Sequence, residues 1–299
     1  MRLHMFDLVA GVGVATDELV AIEGSDAVEF LDGQVTQDIR GMAVGDVRRS
    51  MLLEPRGKLR AILWVLRDEE RVLLVTPRGT GGGVIADLDR FRFRVAVNLR
   101  LDDRPVHSVW APAEEPGHGW SEAGSAVEAF TPAGVPHHFV AGVVPPEGRV
   151  LDADALAAHR IAAGEPRFGE DVDDATIPQE TGLVPEAVSF TKGCFVGQEL
   201  VARIDSRGHV NRLLRRVVID GVRPPRLAEV VVGGKVVGTL GTVAPRGAGG
   251  IALALVRREA KPGQSGLVRW AGGEAPATIQ EIARVGLTGT SHTSNSPLR

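Results

Sequence analysis

Apolar runs and the polar breaks between them divide the chain into αβ units followed by a β-rich end. Leu19-Val20-Ala21-Ile22 is an apolar run of strand length, Gly24-Ser25 a turn and helix cap, and Ala27, Val28, Phe30 and Leu31 form an apolar helical face. Leu59 to Leu66 and Val72 to Val75 predict two strands joined by the charged turn Arg67 to Glu70, a hairpin with an exposed tip. A second helix is predicted near Val84 to Phe91. Strand, helix, hairpin and helix in that order predict a split αβ unit on an antiparallel sheet.

The Pro/Gly-rich interval Ala111 to Gly119 predicts a surface loop, His137 to Val144 a strand, and Asp152 the cap of a helix over Ala153 to Ala163, which makes a second αβ unit. Beyond Arg216 the composition turns to valine and glycine. Glu229 to Gly238 is a hairpin whose Gly233-Gly234 pair supplies the positive φ that such a turn demands. Further strands at Ile251 to Val256, Leu267 to Trp270 and Ala277 to Ile282 fit a small closed barrel or compact sandwich. From Leu287 the chain has little to bury, which predicts a disordered tail. The expected organisation is an αβ region over 1–215 (about 1–105 and 106–215), a barrel over 216–286 and a tail over 287–299.

The 299 residues, 43% apolar with formal net charge −4, are those of an ordinary globular protein that nothing global draws to nucleic acid or anionic membrane. No apolar stretch reaches spanning length, and the N-terminus lacks a signal core, so the cytoplasm is expected. A single cysteine forbids an internal disulfide and cannot hold an iron–sulfur cluster alone. Locally, Arg203, Arg207, His209, Arg212, Arg215 and Arg216 outnumber one acid, Asp205. This run is either a solvated helix face or an anion site. No aromatics interleave with it and the chain has no tyrosine, so a nucleic-acid partner is not expected.

Cys194 sits in Thr191-Lys192-Gly193-Cys194-Phe195-Val196-Gly197-Gln198-Glu199. Glycines open the backbone there, Lys192 brings positive charge, and the predicted helix from Gly197 to Ile204 turns its N-terminus toward the thiol, a setting for a reactive cysteine rather than a buried inert one. Glu199 and Arg203, four apart, could simply pair. Glu180, flanked by Pro178 and Gly182, could accept two parallel hydrogen bonds from a flat heterocycle or be a solvated loop acid. Arg78-Gly79-Thr80-Gly81-Gly82-Gly83 stands where a phosphate cradle would, yet lacks a nucleotide-loop ending and reads as a flexible connection. The eight histidines show no metal spacing, so no metal is expected, and Cys194 has no evident histidine partner.

Together these blocks resemble the YgfZ-type folate-binding proteins, relatives of the T-protein (aminomethyltransferase) of the glycine cleavage system. Lys192 to Glu199 is similar to that family's Lys-Gly-Cys-aromatic-x-Gly-Gln-Glu signature; Gly24 to Thr36 and Ile177-Pro178-Gln179-Glu180 are similar to its other blocks, so the resemblance covers roughly residues 15 to 285. It implies an α+β, T-protein-like fold with two αβ subdomains (ferredoxin-like, antiparallel sheet) and a C-terminal small β-barrel. It further implies tetrahydrofolate or a derivative in a central hole, and a role in the upkeep of iron–sulfur enzymes and, through them, of tRNA modification. In that frame Glu180 orients the pterin, with Gln198 and Glu199 nearby, Arg203 or a neighbour receives the glutamate tail, and Cys194, activated by Lys192, meets the folate or an iron–sulfur client. Arg60 and Ala61 stand where the T-protein carries an essential aspartate pair, and Ala162 where it has a pterin-binding glutamate. These departures argue against a glycine-cleavage aminomethyltransferase, which stays as the enzyme alternative beside a non-catalytic interaction module.

Overall fold

The computed structural model describes residues 8–110, 119–121, 126–130, 136–142, 146–208 and 210–282. Nearly all of the loop expected over Ala111 to Gly119, and the whole of the expected tail, lie outside the described residues.

The first unit comprises β1 (Gly11–Glu23), α1 (Ala27–Gln34), β2 (Val47–Leu53), β3 (Leu59–Arg67), β4 (Arg71–Pro77) and α2 (Gly81–Asp89). The second comprises β5 (Asn98–Trp110), β6 (Gly119–Ser121), β7 (Ala126–Phe130), β8 (Pro136–Ala141) and α3 (Ala153–Ala163). Both αβ units share one eight-stranded antiparallel sheet, ordered β2-β3-β4-β1-β5-β8-β7-β6. The long strands β1 and β5 pair along most of their length and carry the sheet from one unit to the other. The unbroken apolar run in β1 follows from burial on both faces, because successive side chains of a strand point to opposite sides. Val20 and Ile22 pack under α1 and α2 with Leu31, Val65 and Leu88, while Leu19 and Ala21 face Leu66, Val106 and Phe139. Each fully buried valine, leucine, isoleucine or phenylalanine side chain contributes about 1.5–3 kcal/mol.

α3 is delimited as its sequence demands: Asp152 Oδ1 accepts the Ala155 N–H at 2.8 Å, and Gly164 ends the helix at φ 71°. Its Ala157 and Ile161 bury against Leu214, Val218 and Ile251 of the C-terminal unit. Between them run three helices, α4 (Pro178–Thr181), α5 (Val184–Ala187) and α6 (Gln198–Arg207). Leu183, Ala187, Phe195 and Val201 of this stretch close over Met51, Leu53 and Leu59 of β2 and β3.

The C-terminal unit is β9 (Arg212–Ile219), β10 (Glu229–Val232), β11 (Lys235–Arg246), β12 (Gly249–Arg257), β13 (Ser265–Trp270) and β14 (Gly273–Gln280), closed in the order β10-β11-β12-β9-β14-β13. It is a barrel and not a sandwich, and β9 gives it the residues from Arg212 onward. Gly233 and Gly234, at φ 56° and 75°, make the tight β10–β11 turn.

Candidate functional site

A cavity of about 260 Å³ opens where the shared sheet, α3 with the loop after it, and the barrel meet. Its residues come from every one of these parts. Register shifts in the β1–β5 pairing around Asp17, with Ala15 at φ 49°, mark a bulge that brings Thr16 and Asp17 to the cavity wall. Arg49 arrives from β2, Trp64 from β3, Trp110 from β5, His137 and Phe139 from β8, Glu165 and Arg167 from the loop after α3, and Thr242 from the barrel.

Arg49 is only 1% exposed along its side chain. Its guanidinium lies 4.2 Å from the centroid of Trp64, pairs with Glu165, and places Nε 3.5 Å from Glu186. Nη1 has no hydrogen-bond partner among the described residues. His137 stacks on Trp110 with centroids 4.0 Å apart and planes 7° from parallel, and meets Phe139 edge-on at 4.4 Å. It is buried, and neither ring nitrogen has a partner among the described residues. Burial, reinforced by the charge of Arg49, holds its pKa well below the ordinary histidine value, so the imidazole is neutral. Burial raises the Asp17 carboxyl above the usual range, against the opposing pull of Arg167. Asp17 Oδ2 lies 2.7 Å from Thr16 Oγ1, whereas Oδ1 has, among the described residues, only Arg167 Nη2 at 3.5 Å. Below, Asp171 accepts from Arg160, from the Arg167 N–H and from the Thr242 N–H, tying the cavity floor to the barrel.

Aromatic walls with a few unsatisfied polar atoms suit a flat, polar-edged heterocycle, since buried donors and acceptors cost free energy until something pairs with them. No group of three or more His, Cys, Asp or Glu side chains able to hold a metal occurs among the described residues. No helix among them is long and apolar enough to cross a membrane.

Most residues singled out from the sequence lie elsewhere. Glu180 does not line the cavity; both its oxygens are taken by Arg212 at 2.8 Å, and Oε2 also accepts the Ile177 N–H, closing the first turn of α4. The residue expected to hold the pterin is thus paired with Arg212 outside this cavity, on the wall of a second one beside the barrel. Lys192 does not serve the thiol. Its ammonium is buried, donates to the carbonyls of Asp32, Val35 and Gln37, lies 3.2 Å from Asp32 Oδ1, and has its pKa lowered by burial despite that carboxylate. Cys194 is exposed on the loop so anchored, just ahead of α6, whose N-cap Gly197 has φ 82°. Gln198 opens α6, and Glu199 and Arg203 pair with each other in solvent at 2.8 Å, so neither is turned to the cavity. The basic run also divides. Arg216 is buried against the carbonyls of Ile161 and Ala162, its pKa pushed down to about 10 by burial, and Arg215 lies 3.7 Å from Glu281. At the glycine-rich start of α2 the Glu18 carboxylate accepts the Gly81 N–H, filling the position a phosphate would take.

Asp17, Arg49, Trp64, His137 and Arg167 carried no local signature. The one available hint was Arg49, a charge two residues before the apolar run Met51-Leu52-Leu53.

No protein-family model matches the chain. It is 27% identical over 212 residues to a protein of Haemophilus influenzae described as uncharacterized, covering 66% of this chain and 69% of that one. It is 25% identical over 236 residues to the tRNA-modifying protein YgfZ of an Enterobacter species, covering 71% and 72%, and 26% identical over 243 residues to YgfZ of Yersinia pestis. Among solved structures, the glycine cleavage system aminomethyltransferase T of Bartonella henselae superposes with a TM-score of 0.77 at 18% identity, over 93% of this chain and 88% of that one. The latter establishes the fold.

Proposed function

The chain is a YgfZ-type protein built on the aminomethyltransferase T fold, and from that premise we propose that it binds a reduced folate, tetrahydrofolate or a derivative, in the central cavity and serves the upkeep of iron–sulfur enzymes on which tRNA modification depends. The observation that carries this reading is the pair of unsatisfied buried groups, His137 and Arg49 Nη1, set among Trp64, Trp110 and Phe139. At about 260 Å³ the cavity lies near the lower end of the range for small ligands, ~300–1,000 Å³. It suits the pterin head, with the tail leaving through the mouth.

Asp17, with spare acceptor capacity on Oδ1, would take the ring's N–H and amino donors; His137 and Arg49 would meet its carbonyl edge; Arg167, a quarter exposed, would receive a tail carboxylate. A bound reduced folate supplies one-carbon chemistry. The protein's part is to orient the ring and exclude water from its face. Cys194, exposed and away from the cavity lining, is offered to a client protein rather than to the folate. Aminomethyl transfer is the weaker reading: Arg60 pairs with Asp87 at 2.8 Å and Ala61 is buried in the core, so neither provides the carboxylate that the resemblance requires.

Calorimetric titration of tetrahydrofolate tests the site. Wild type binds, Trp64→Ala and Asp17→Asn bind at least about tenfold more weakly, and Cys194→Ser binds as wild type. Absence of any binding heat in wild type overturns the reading. For the cellular role, thiolated nucleosides of tRNA are measured in cells lacking the native protein: they recover with wild type and stay low with Cys194→Ser, and full recovery with that variant removes the thiol from the role.

A further inference from the structure

The chain leaves α2 through Asp89-Arg90-Phe91-Arg92-Phe93-Arg94, where arginine and phenylalanine alternate. Phe93 is 74% exposed and Phe91 38%, and Arg90, Arg92 and Arg94 are all exposed. Two neighbouring phenyl rings in water are costly unless they are used. The segment is tied back by its own hydrogen bonds. The Phe91, Arg92 and Phe93 N–H groups bond back to Leu88, Asp89 and Phe91. Arg92 ties Asp89 at 2.7 Å to the Val97 carbonyl at 3.3 Å, and Asp26 accepts the Ala96 N–H at 2.7 Å. Arg94 sits at φ 55°, in the left-handed region, with its guanidinium 5.1 Å from the Phe93 ring centroid.

Against the expectation drawn from the aromatic-free run Arg203 to Arg216, we propose that this platform binds single-stranded RNA, the two phenyl rings stacking bases and the arginines meeting phosphates. A stretch of interleaved rings and cations is what sequence-tolerant single-strand binding uses, since every base offers a π-face and every nucleotide a charge. The acids nearby do not cancel it. Asp89 is taken by Arg92, and Asp87 lies between Arg60 at 2.8 Å and Arg90 at 3.6 Å, while among the described residues Arg94 meets the Phe93 ring and no acid. Exposed pairs of this kind are worth little and exchange readily for phosphate. A second copy is a poor occupant, because a two-fold contact through this face would set its arginines against their own copies. Beyond Arg60, on whose charge Asp174 and Glu54 also act, lies the turn after β2. There Gly57 packs so closely on α6 that an added Cβ would lie 2.7 Å from Leu200 and 3.1 Å from the Gly197 carbonyl. RNA on the platform would thus approach the loop that carries Cys194. The inference does not rest on folate binding.

Fluorescence anisotropy of a labelled single-stranded RNA oligonucleotide, without folate, tests it across a salt series, with circular dichroism confirming that each variant is folded. Wild type binds at 50 mM salt. Phe93→Ala weakens binding about tenfold or more with the salt slope unchanged. Arg90→Gln with Arg94→Gln flattens the slope of log K against log salt by about 1.4, the loss of two phosphate contacts on a single strand. No binding by wild type, unchanged affinity in Phe93→Ala, or binding of anionic vesicles in place of RNA would each overturn it.

Discussion

Arg212 grips Glu180 with two parallel bonds, Nε and Nη2 each 2.8 Å from a different carboxylate oxygen, across the junction between α4 and the first barrel strand. Glu180 is 5% exposed, and its second oxygen is shared with the Ile177 N–H, so the carboxylate has no edge left for a heterocycle. Glu180→Ala is therefore expected to lower stability by about 1–2 kcal/mol in urea unfolding, the smaller end of charged-bond losses because Arg212 remains partly solvated. Its tetrahydrofolate affinity should stay within about twofold of wild type. A tenfold loss of affinity at unchanged stability would return Glu180 to the binding site.

Lys192 makes a comparable junction between the Cys194 loop and the end of α1, through Asp32 and three carbonyls. Lys192→Met keeps the aliphatic stem and removes the donors. Hydrogen exchange should then rise about tenfold or more in residues 191–197 and 35–39, with the sheet unaffected. If exchange is unchanged and only alkylation of Cys194 slows, the lysine acts on the thiol after all.

The elements that declared themselves in the sequence are those whose cause is local. Asp152 caps α3, Gly233-Gly234 turns β10 into β11, and Arg67 to Glu70 turns β3 into β4, each within a few residues. β2 escaped because Val47-Arg48-Arg49-Ser50 mixes charge into a strand, and the acids that accommodate Arg49 there, Glu165 and Glu186, lie more than a hundred residues away. The same applies to function. The motif around Cys194 is contiguous and conspicuous, yet the cavity draws on seven strands, α3 and the loop after it, and no spacing rule joins Asp17 to Arg167 or Arg49 to Glu186. Glu180 was visible as an unusual acid, but the partner that explains it, Arg212, lies on another element and read only as part of a basic run.

Asp17 gives the site a pH signature. Burial raises its carboxyl pKa above the unfolded value of 3.8, so its contribution to stability is fully present below that pH and is lost as pH rises through the folded value. At neutral pH, well above the unfolded value, burying this carboxyl is a cost. Asp17→Asn should accordingly be the more stable protein at pH 7, with the two thermal midpoints converging as pH falls toward 3.8, while its tetrahydrofolate affinity drops. An asparagine variant less stable than wild type at pH 7 would mean that the pull of Arg167 outweighs desolvation.

His137 acts in the opposite sense. Its folded pKa lies well below 6.5, so between that value and 6.5 the unfolded chain holds a proton that the folded chain lacks, and stability falls as pH drops through this window. His138 and His159 are lowered by burial too and add to the slope. Phenylalanine in place of His137 retains a flat ring against Trp110 and removes two buried nitrogens that have no partner among the described residues. His137→Phe should thus match or exceed wild type in stability at pH 7. Between pH 6.5 and 5 its denaturant-derived stability should fall less steeply, by up to about 1.4 kcal/mol per pH unit, the value for one proton. Tetrahydrofolate binding separates this structural effect from recognition: an affinity loss of about tenfold in a variant at least as stable as wild type means that the imidazole was kept for its ligand, because nothing among the described residues uses its nitrogens.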